Sequence, residues 1–364
     1  MSATSSRPIA DWVIRQSGAA SSEITQQIYQ QGQKANVLLQ RGPQKPDREG
    51  LVLCGHLDVV PAEAAGWASD PWTLTDQGER WAGRGACDMK AFVALALDRF
   101  RRLEGATLDA PLALLFTSDE EVGSVGAQRW LETEFELPRQ LLIGEPTELR
   151  AVRMHKGHLR LRLTIEGSAA HSGYPHRGVN AIEPAGRAIT ALTALRSELE
   201  TERPEHHQQF AEVPFVTLNL GRIDGGVATN VIPDRCTLEL GLRPLPGMKA
   251  ADLVPRVEQT LAAALGATPW SLEIDNDSPP LLTPSSAPLY STLCGLLGQT
   301  GDESVSFASD GGTLSRTGHD CVLFGPGTIE VAHRPDEFVP KDEFQRAGEI
   351  LDQLIERFCG VSPP

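Results

Sequence analysis

Leu51-Val52-Leu53-Cys54-Gly55-His56-Leu57-Asp58 (LVLCGHLD, residues 51–58) is an apolar run that breaks abruptly into a glycine, a histidine and an aspartate. A strand buried on both faces, as in a parallel sheet, reads as continuous apolar sequence rather than as an alternation. Two similar runs lie downstream. Pro111-Leu112-Ala113-Leu114-Leu115-Phe116-Thr117 ends in Ser118-Asp119-Glu120-Glu121, and Gln140-Leu141-Leu142-Ile143-Gly144 ends in Glu145-Pro146-Thr147. Between the first two, Met89 to Leu103 carries apolar residues at helical spacing. Near the far end, Cys321-Val322-Leu323-Phe324 precedes a helical stretch reaching Phe358. Strands alternating with helices predict an α/β fold, a mixed and mostly parallel sheet flanked by helices, with chemistry at the carboxyl ends of the strands. The polar clusters follow the strands, where that rule places a site.

From His158 the pattern changes. Leu159, Leu161, Leu163 and Ile165 alternate with Arg160, Arg162, Thr164 and Glu166, as in a strand with one wet face. A helix over about 181–199, strands over 216–223 and 235–242, and a helix over about 250–265 complete a β-α-β-β-α block. The expected organisation is a discontinuous catalytic domain, residues 1–157 and 278–364, interrupted by an inserted α+β domain over 158–277.

The chain has 364 residues, 40% of them hydrophobic, enough for two cores. Its net charge of −15 leaves no basic patch to displace counterions from phosphates, so nucleic acid is not an expected partner. No apolar run approaches the roughly 20 residues of a membrane span, and the opening MSATSSRPIADWVIRQSG lacks the apolar core of a signal peptide. The six cysteines (54, 87, 236, 294, 321 and 359) form no CxxC pair, which suits reduced thiols in a cytoplasmic protein. No GxxxxGK[ST] loop or GxSxG elbow occurs. Gly83-Arg84-Gly85 has Asp88 in place of the third glycine of a dinucleotide loop and follows no convincing strand.

Metal-type ligands gather in five segments: Gly55–Asp58, Gly85–Asp88, Ser118–Glu121, Gly144–Thr147 and Ala332–Asp336. In an extended segment His56 and Asp58 share a face, so Asp58 can orient the ring while its other nitrogen binds a metal; a polar turn is the plainer account. Adjacent Glu120 and Glu121 suit a metal ligand beside a proton acceptor, or equally two solvated acids opening a helix. Asp88 reads also as an N-cap, Glu145 as a helix-start acid before Pro146, and His333 as an ordinary surface or core histidine. The conjunction favours a divalent ion. Cys54 and Cys87, beside His56 and Asp88, leave a cysteine hydrolase as the rival chemistry or buried thiols as the bland one.

The stretches GHLDVVP (55–61), GRGACDMK (83–90), SDEEVGS (118–124), GEPT (144–147) and GPGTIEVAHRPDEF (325–338) together resemble the dinuclear zinc peptidase family. That family includes acetylornithine deacetylase, succinyl-diaminopimelate desuccinylase, aminoacylase and glutamate-releasing carboxypeptidases. VRMHKGH (152–158), RGVNAIE (177–183), TLNLGRIDGG (217–226) and LRPLPGM (242–248) are most similar to the acetylornithine deacetylase branch, whereas SDGGT (309–313) looks more like the desuccinylase form. The resemblance implies a zinc-peptidase-like catalytic domain and an inserted lid that also forms a homodimer. It implies two zinc ions, with cobalt an alternative: His56, Asp88 and Glu145 around one, and Asp88, Glu121 and His333 around the other. Asp58 would orient His56 and Glu120 would be the general base. His171 would stabilise the oxyanion from across the dimer, and Arg243 and Asn230, with Gly312 and Thr313, would bind the substrate. The implied substrate is an N-acyl-L-amino acid, first N-acetyl-L-ornithine in arginine biosynthesis. Succinyl-diaminopimelate, acetylcitrulline, other N-acyl amino acids and dipeptides are the alternatives.

Overall fold

The computed structural model describes residues 5–18, 25–45 and 47–362. The chain divides into two compact units, one made of residues 1–154, 283–303 and 309–364, the other of 155–282 and 304–308.

In the first unit the Leu51–His56 strand is buried at every position. It pairs in parallel with Leu112–Thr117 on one side and Gln140–Ile143 on the other, and Asp320–Leu323 continues the sheet in parallel beyond Gln140–Ile143. Alternate residues serve opposite faces, which is why the run has no polar member. Leu51 and Leu53 join a core with Phe92, Phe100, Leu351 and Leu354, contributed by the helices Ala91–Arg102 and Lys341–Cys359. Val52 and Cys54, also fully buried, point the other way. The three parallel strands end side by side at His56, Thr117 and Ile143, so the polar segments that follow them emerge at one edge.

Several elements were not legible in the pattern. Thr25–Gln31 and Lys34–Arg41 form an antiparallel hairpin, and the second of these strands pairs antiparallel with Leu112–Thr117, making the sheet mixed. Arg80–Ala82, expected to be no strand, pairs antiparallel with Phe338–Pro340 and with Thr75–Asp76. The helix expected from Met89 begins at Ala91; Ala86–Lys90 is a wide turn in which Asp88 and Met89 leave helical geometry, joined by a cis peptide bond.

The second unit is a four-stranded antiparallel sheet, in the order Thr217–Gly225, Arg235–Arg243, His158–Glu166, Trp270–Ser278. The last strand, absent from the pattern, closes the block. Helices Ile182–Thr201 and Ala250–Leu265 pack on one face, where Leu159, Leu161, Leu163 and Ile165 are fully buried. On the other face Arg162 pairs with Glu239 at 3.1 Å and Asp275 at 2.7 Å, a cross-strand charge set at a wetter surface.

Candidate metal centre

His56 closes the central strand opposite Thr117 and is 1% exposed. Its Nδ1 donates to the backbone carbonyl of Asp58 at 3.0 Å, which turns Nε2 toward Asp88 Oδ1, 2.9 Å away. The orienting bond expected from the Asp58 carboxylate is therefore made by the Asp58 main chain, the carboxylate lying 3.7 Å from Nδ1. The carboxylate is occupied elsewhere: it accepts the backbone N–H groups of Glu120 (3.2 Å) and Glu121 (3.1 Å). Asp58 thus fixes the turn that presents both glutamates.

That turn is not the first turn of a helix, since Val125–Trp130 starts only after it. Asp119 sits at φ 58°, and Lys34 Nζ holds its Oδ1 at 2.5 Å. Nor is Asp88 an N-cap: Lys90 precedes the helix, and Asp88 lies in the wide turn. Glu145, 4% exposed, follows the Gln140–Ile143 strand, with no helix after it. His333 stands at φ 61° in a loop, about half exposed. Its Nε2 is 3.2 Å from Asp88 Oδ2 and 3.1 Å from Glu121 Oε2. Asp88 is thereby placed between two imidazoles, one on each oxygen.

The electrostatics describe a surplus of acid. Among the described residues Asp58, Asp88, Glu120, Glu121, Glu145 and Asp310 act on one another and on His56 and His333. Removal from water, then the neighbouring carboxylates, pushes Glu145 and the partly exposed Glu120 well above the usual carboxylate range; His56 opposes the rise. Burial would raise Asp88 too, but hydrogen bonds to His333 and His56 hold it well below its ordinary value. The same bonds, from Asp88 and Glu121, raise His333 to about 10. Such a cluster accepts a cation readily. Ligand atoms of His56, Asp88 and Glu121 all lie within 4.8 Å of one another, and mixed imidazole and carboxylate donors suit zinc or a similar divalent ion. This trio takes members from both of the expected ligand sets.

Two residues missed in the sequence support the site. Glu337, 0% exposed, accepts four hydrogen bonds: from Arg84 Nη1 (2.6 Å) and from the backbone N–H groups of Gly85 (3.1 Å), Cys87 (2.9 Å) and Asp88 (3.0 Å). It pins the turn that carries Asp88. Asp310, 2% exposed, accepts from Thr117 Oγ1 at 2.6 Å, and burial raises its pKa to about 6. Gly312 and Thr313, in the same short helix Asp310–Leu314, are buried.

The cysteine chemistry loses its footing. Cys54 is fully buried and Cys87 is 1% exposed, and desolvation pushes both thiols up, whereas a nucleophilic cysteine needs a lowered pKa. All six cysteines are free.

In the second unit His171 is exposed and pairs across an isolated bridge with Val231, while Ser172 N–H donates to the Asn230 carbonyl at 3.0 Å. His171 and Asn230 are therefore neighbours. His171 Nδ1 accepts from the Gly173 N–H at 3.0 Å, so the neutral ring carries its proton on Nε2, ready to donate. Arg243 ends the Arg235–Arg243 strand opposite Thr217, and its positive charge adds to burial in lowering His158 to about 4. Among the described residues no helix is long and apolar enough to cross a membrane.

The comparisons with known proteins agree with this geometry. Residues 52–357 match the model of peptidase family M20/M25/M40. The chain is 40% identical over 315 residues to an acetylornithine deacetylase of Edwardsiella ictaluri (strain 93-146), covering 85% of this chain and 80% of that one. Among solved structures, an M20 family metallo-carboxypeptidase from Sulfolobus solfataricus superposes with a TM-score of 0.75 at 16% identity, over 96% of this chain and 93% of that one. A Bacillus subtilis protein described as a dinuclear metal binding peptidase of the M20 family gives 0.60 at 15% identity, over 96% and 90%. A parallel sheet ending in a histidine–carboxylate cluster, a family match over most of the length and a relative at this identity converge: the chain belongs to peptidase family M20/M25/M40 and is an amide-bond hydrolase.

Proposed function

We propose that the protein is a metal-dependent deacylase of N-acyl-L-amino acids, and specifically that it hydrolyses N-acetyl-L-ornithine to L-ornithine and acetate in arginine biosynthesis. The observation that carries the reading is Asp88 set between His56 and His333, with Glu121 on the second histidine. The identity to acetylornithine deacetylases supports the choice of substrate.

His56, Asp88 and Glu145 would hold one zinc ion and Asp88, Glu121 and His333 a second, with cobalt as an alternative metal. When bound, the metal pair supplies Lewis acidity and lowers the pKa of water toward about 7. Glu120 takes the proton of the attacking water and returns it to the amine nitrogen as the amide bond breaks. Asp58 holds Glu120 in place through its backbone N–H. His171 donates from Nε2 to the oxyanion; in the homodimer we propose, formed through the second unit acting as a lid, the partner supplies this residue. Arg243 grips the substrate carboxylate with its planar fork, aided by Asn230. The reaction takes place in the cytoplasm.

The test is hydrolysis of N-acetyl-L-ornithine beside N-acetyl-L-citrulline and N-succinyl-diaminopimelate, before and after chelation and zinc re-addition. Preference for acetylornithine, lost with the metal and restored by zinc, is expected. Metal-dependent turnover of another of these substrates moves the pathway and keeps the chemistry. Activity that survives complete metal removal refutes the mechanism.

A further inference from the structure

The first unit contains a cavity of about 460 Å³ that the hydrolytic chemistry does not use. Its walls are Trp72, Leu74, Trp81, Val339 and Phe344, with Trp81 and Phe344 edge to face at 5.1 Å. Trp72 and Leu74 remain 60% and 63% exposed and give the cavity an apolar mouth.

Two cations and no carboxylate line this space, in a protein whose net charge is −15. The Lys90 ammonium forms no direct salt bridge among the described residues, although the Asp58 and Glu337 carboxylates act on it from further away, and burial lowers its pKa. The Arg84 side chain is 4% exposed; its Nη1 is satisfied by Glu337, but its Nε–H has no acceptor among the described residues. Buried in this way, the guanidinium acts on the cavity through its positive charge. Apolar walls with a few convergent polar groups are the usual composition of a small-molecule site, and a volume of this size is typical of one.

We propose that this cavity binds a small amphiphilic carboxylate, with an aromatic or short aliphatic body against Trp72, Trp81 and Phe344 and its carboxylate at the Lys90 ammonium, in the field of the Arg84 guanidinium. The cavity lies wholly within the first unit and uses none of the residues assigned to the proposed hydrolysis. Gly85, Ala86 and Lys90 are both cavity wall and part of the turn that carries Asp88, so the occupant touches that turn from outside the metal centre.

Calorimetric titration of the intact protein with 3-phenylpropionate and with its neutral amide tests this, since binding is read without reference to turnover. The acid should bind about 10-fold more tightly than the amide, a charge-assisted hydrogen bond against a neutral one. Lys90→Met should remove that preference. Ala94→Trp fills the cavity from the exposed side of its helix; it should abolish binding and leave hydrolysis unchanged. The proposal is overturned by equal affinities for acid and amide, by binding that persists in Ala94→Trp, or by no binding of either probe at millimolar concentration. None of these outcomes depends on the deacylase reading, which fails only if chelation leaves hydrolysis intact.

Discussion

Replacing Glu337 by glutamine removes one charge and the one acceptor oxygen that takes two of the four bonds, while keeping the shape of the side chain. In the native protein the carboxylate serves four donors with no exposure to water, and the Arg84 side chain opposite it is 4% exposed. A glutamine can keep Oε1 on the Cys87 and Asp88 N–H groups, but its NH2 then faces Arg84 and Gly85, both donors. The larger loss is the buried guanidinium left without its counter-charge, which costs about 3–5 kcal/mol. At about 2–4 °C per kcal/mol for a domain of this size, the melting temperature should fall by about 10 °C. The turn carrying Asp88 should also lose its register, so a chelator should strip the metal at a concentration about 10- to 100-fold lower. Adding Arg84→Met to Glu337→Gln removes both charges and should recover part of the lost stability, as a double-mutant cycle measures. A Glu337→Gln protein that melts within about 1 °C of the parent and holds its metal equally well would refute the clamp.

The remaining expectations concern separate parts of the molecule. Glu120→Gln should keep its metal content, read by elemental analysis, and lose about 100- to 10,000-fold in kcat; retention of most of the rate excludes Glu120 as the base. At Gly144 a methyl group would lie 1.8 Å from Phe92 Cγ, so Gly144→Ala should overpack the core by at least about 1–3 kcal/mol, seen as a lower urea midpoint. Burial lowers His155 to about 4, against roughly 6.5 in the unfolded chain. The folded protein therefore binds fewer protons than the unfolded one between these values. The stability due to the neutral ring is complete above pH 6.5 and drains away as pH falls to 4, by about 3 kcal/mol. Urea melts at the two ends should show that loss in the parent and not in His155→Leu; equal slopes would argue against a buried neutral ring.

Much of the first unit was written locally. The apolar runs at 51–54, 112–116 and 141–143 read as strands buried on both faces, with polar successors expected at the carboxyl edge, and the structure has them so. His56 and Glu121 follow such runs, whereas Asp88 and His333 were nameable from the conjunction of polar segments and the family resemblance; the structure brings all four together. The alternation from Leu159 to Ile165 likewise encodes one wet and one dry face. Other features depended on partners remote in sequence. The Arg80–Ala82 strand is too short to show a period and exists because Phe338–Pro340 lies beside it. Glu337 looks like one more acid in HRPDEF until folding sets it against the N–H groups of a turn some 250 residues earlier. Asp58 could be placed near His56 by spacing alone, yet its carboxylate bonds to the glutamate turn, because only the folded sheet brings residues 58 and 120–121 together. Periodicity records which face is buried; hydrogen-bond partners across long loops, and the cavity walled by Trp81 and Phe344, are decided by packing.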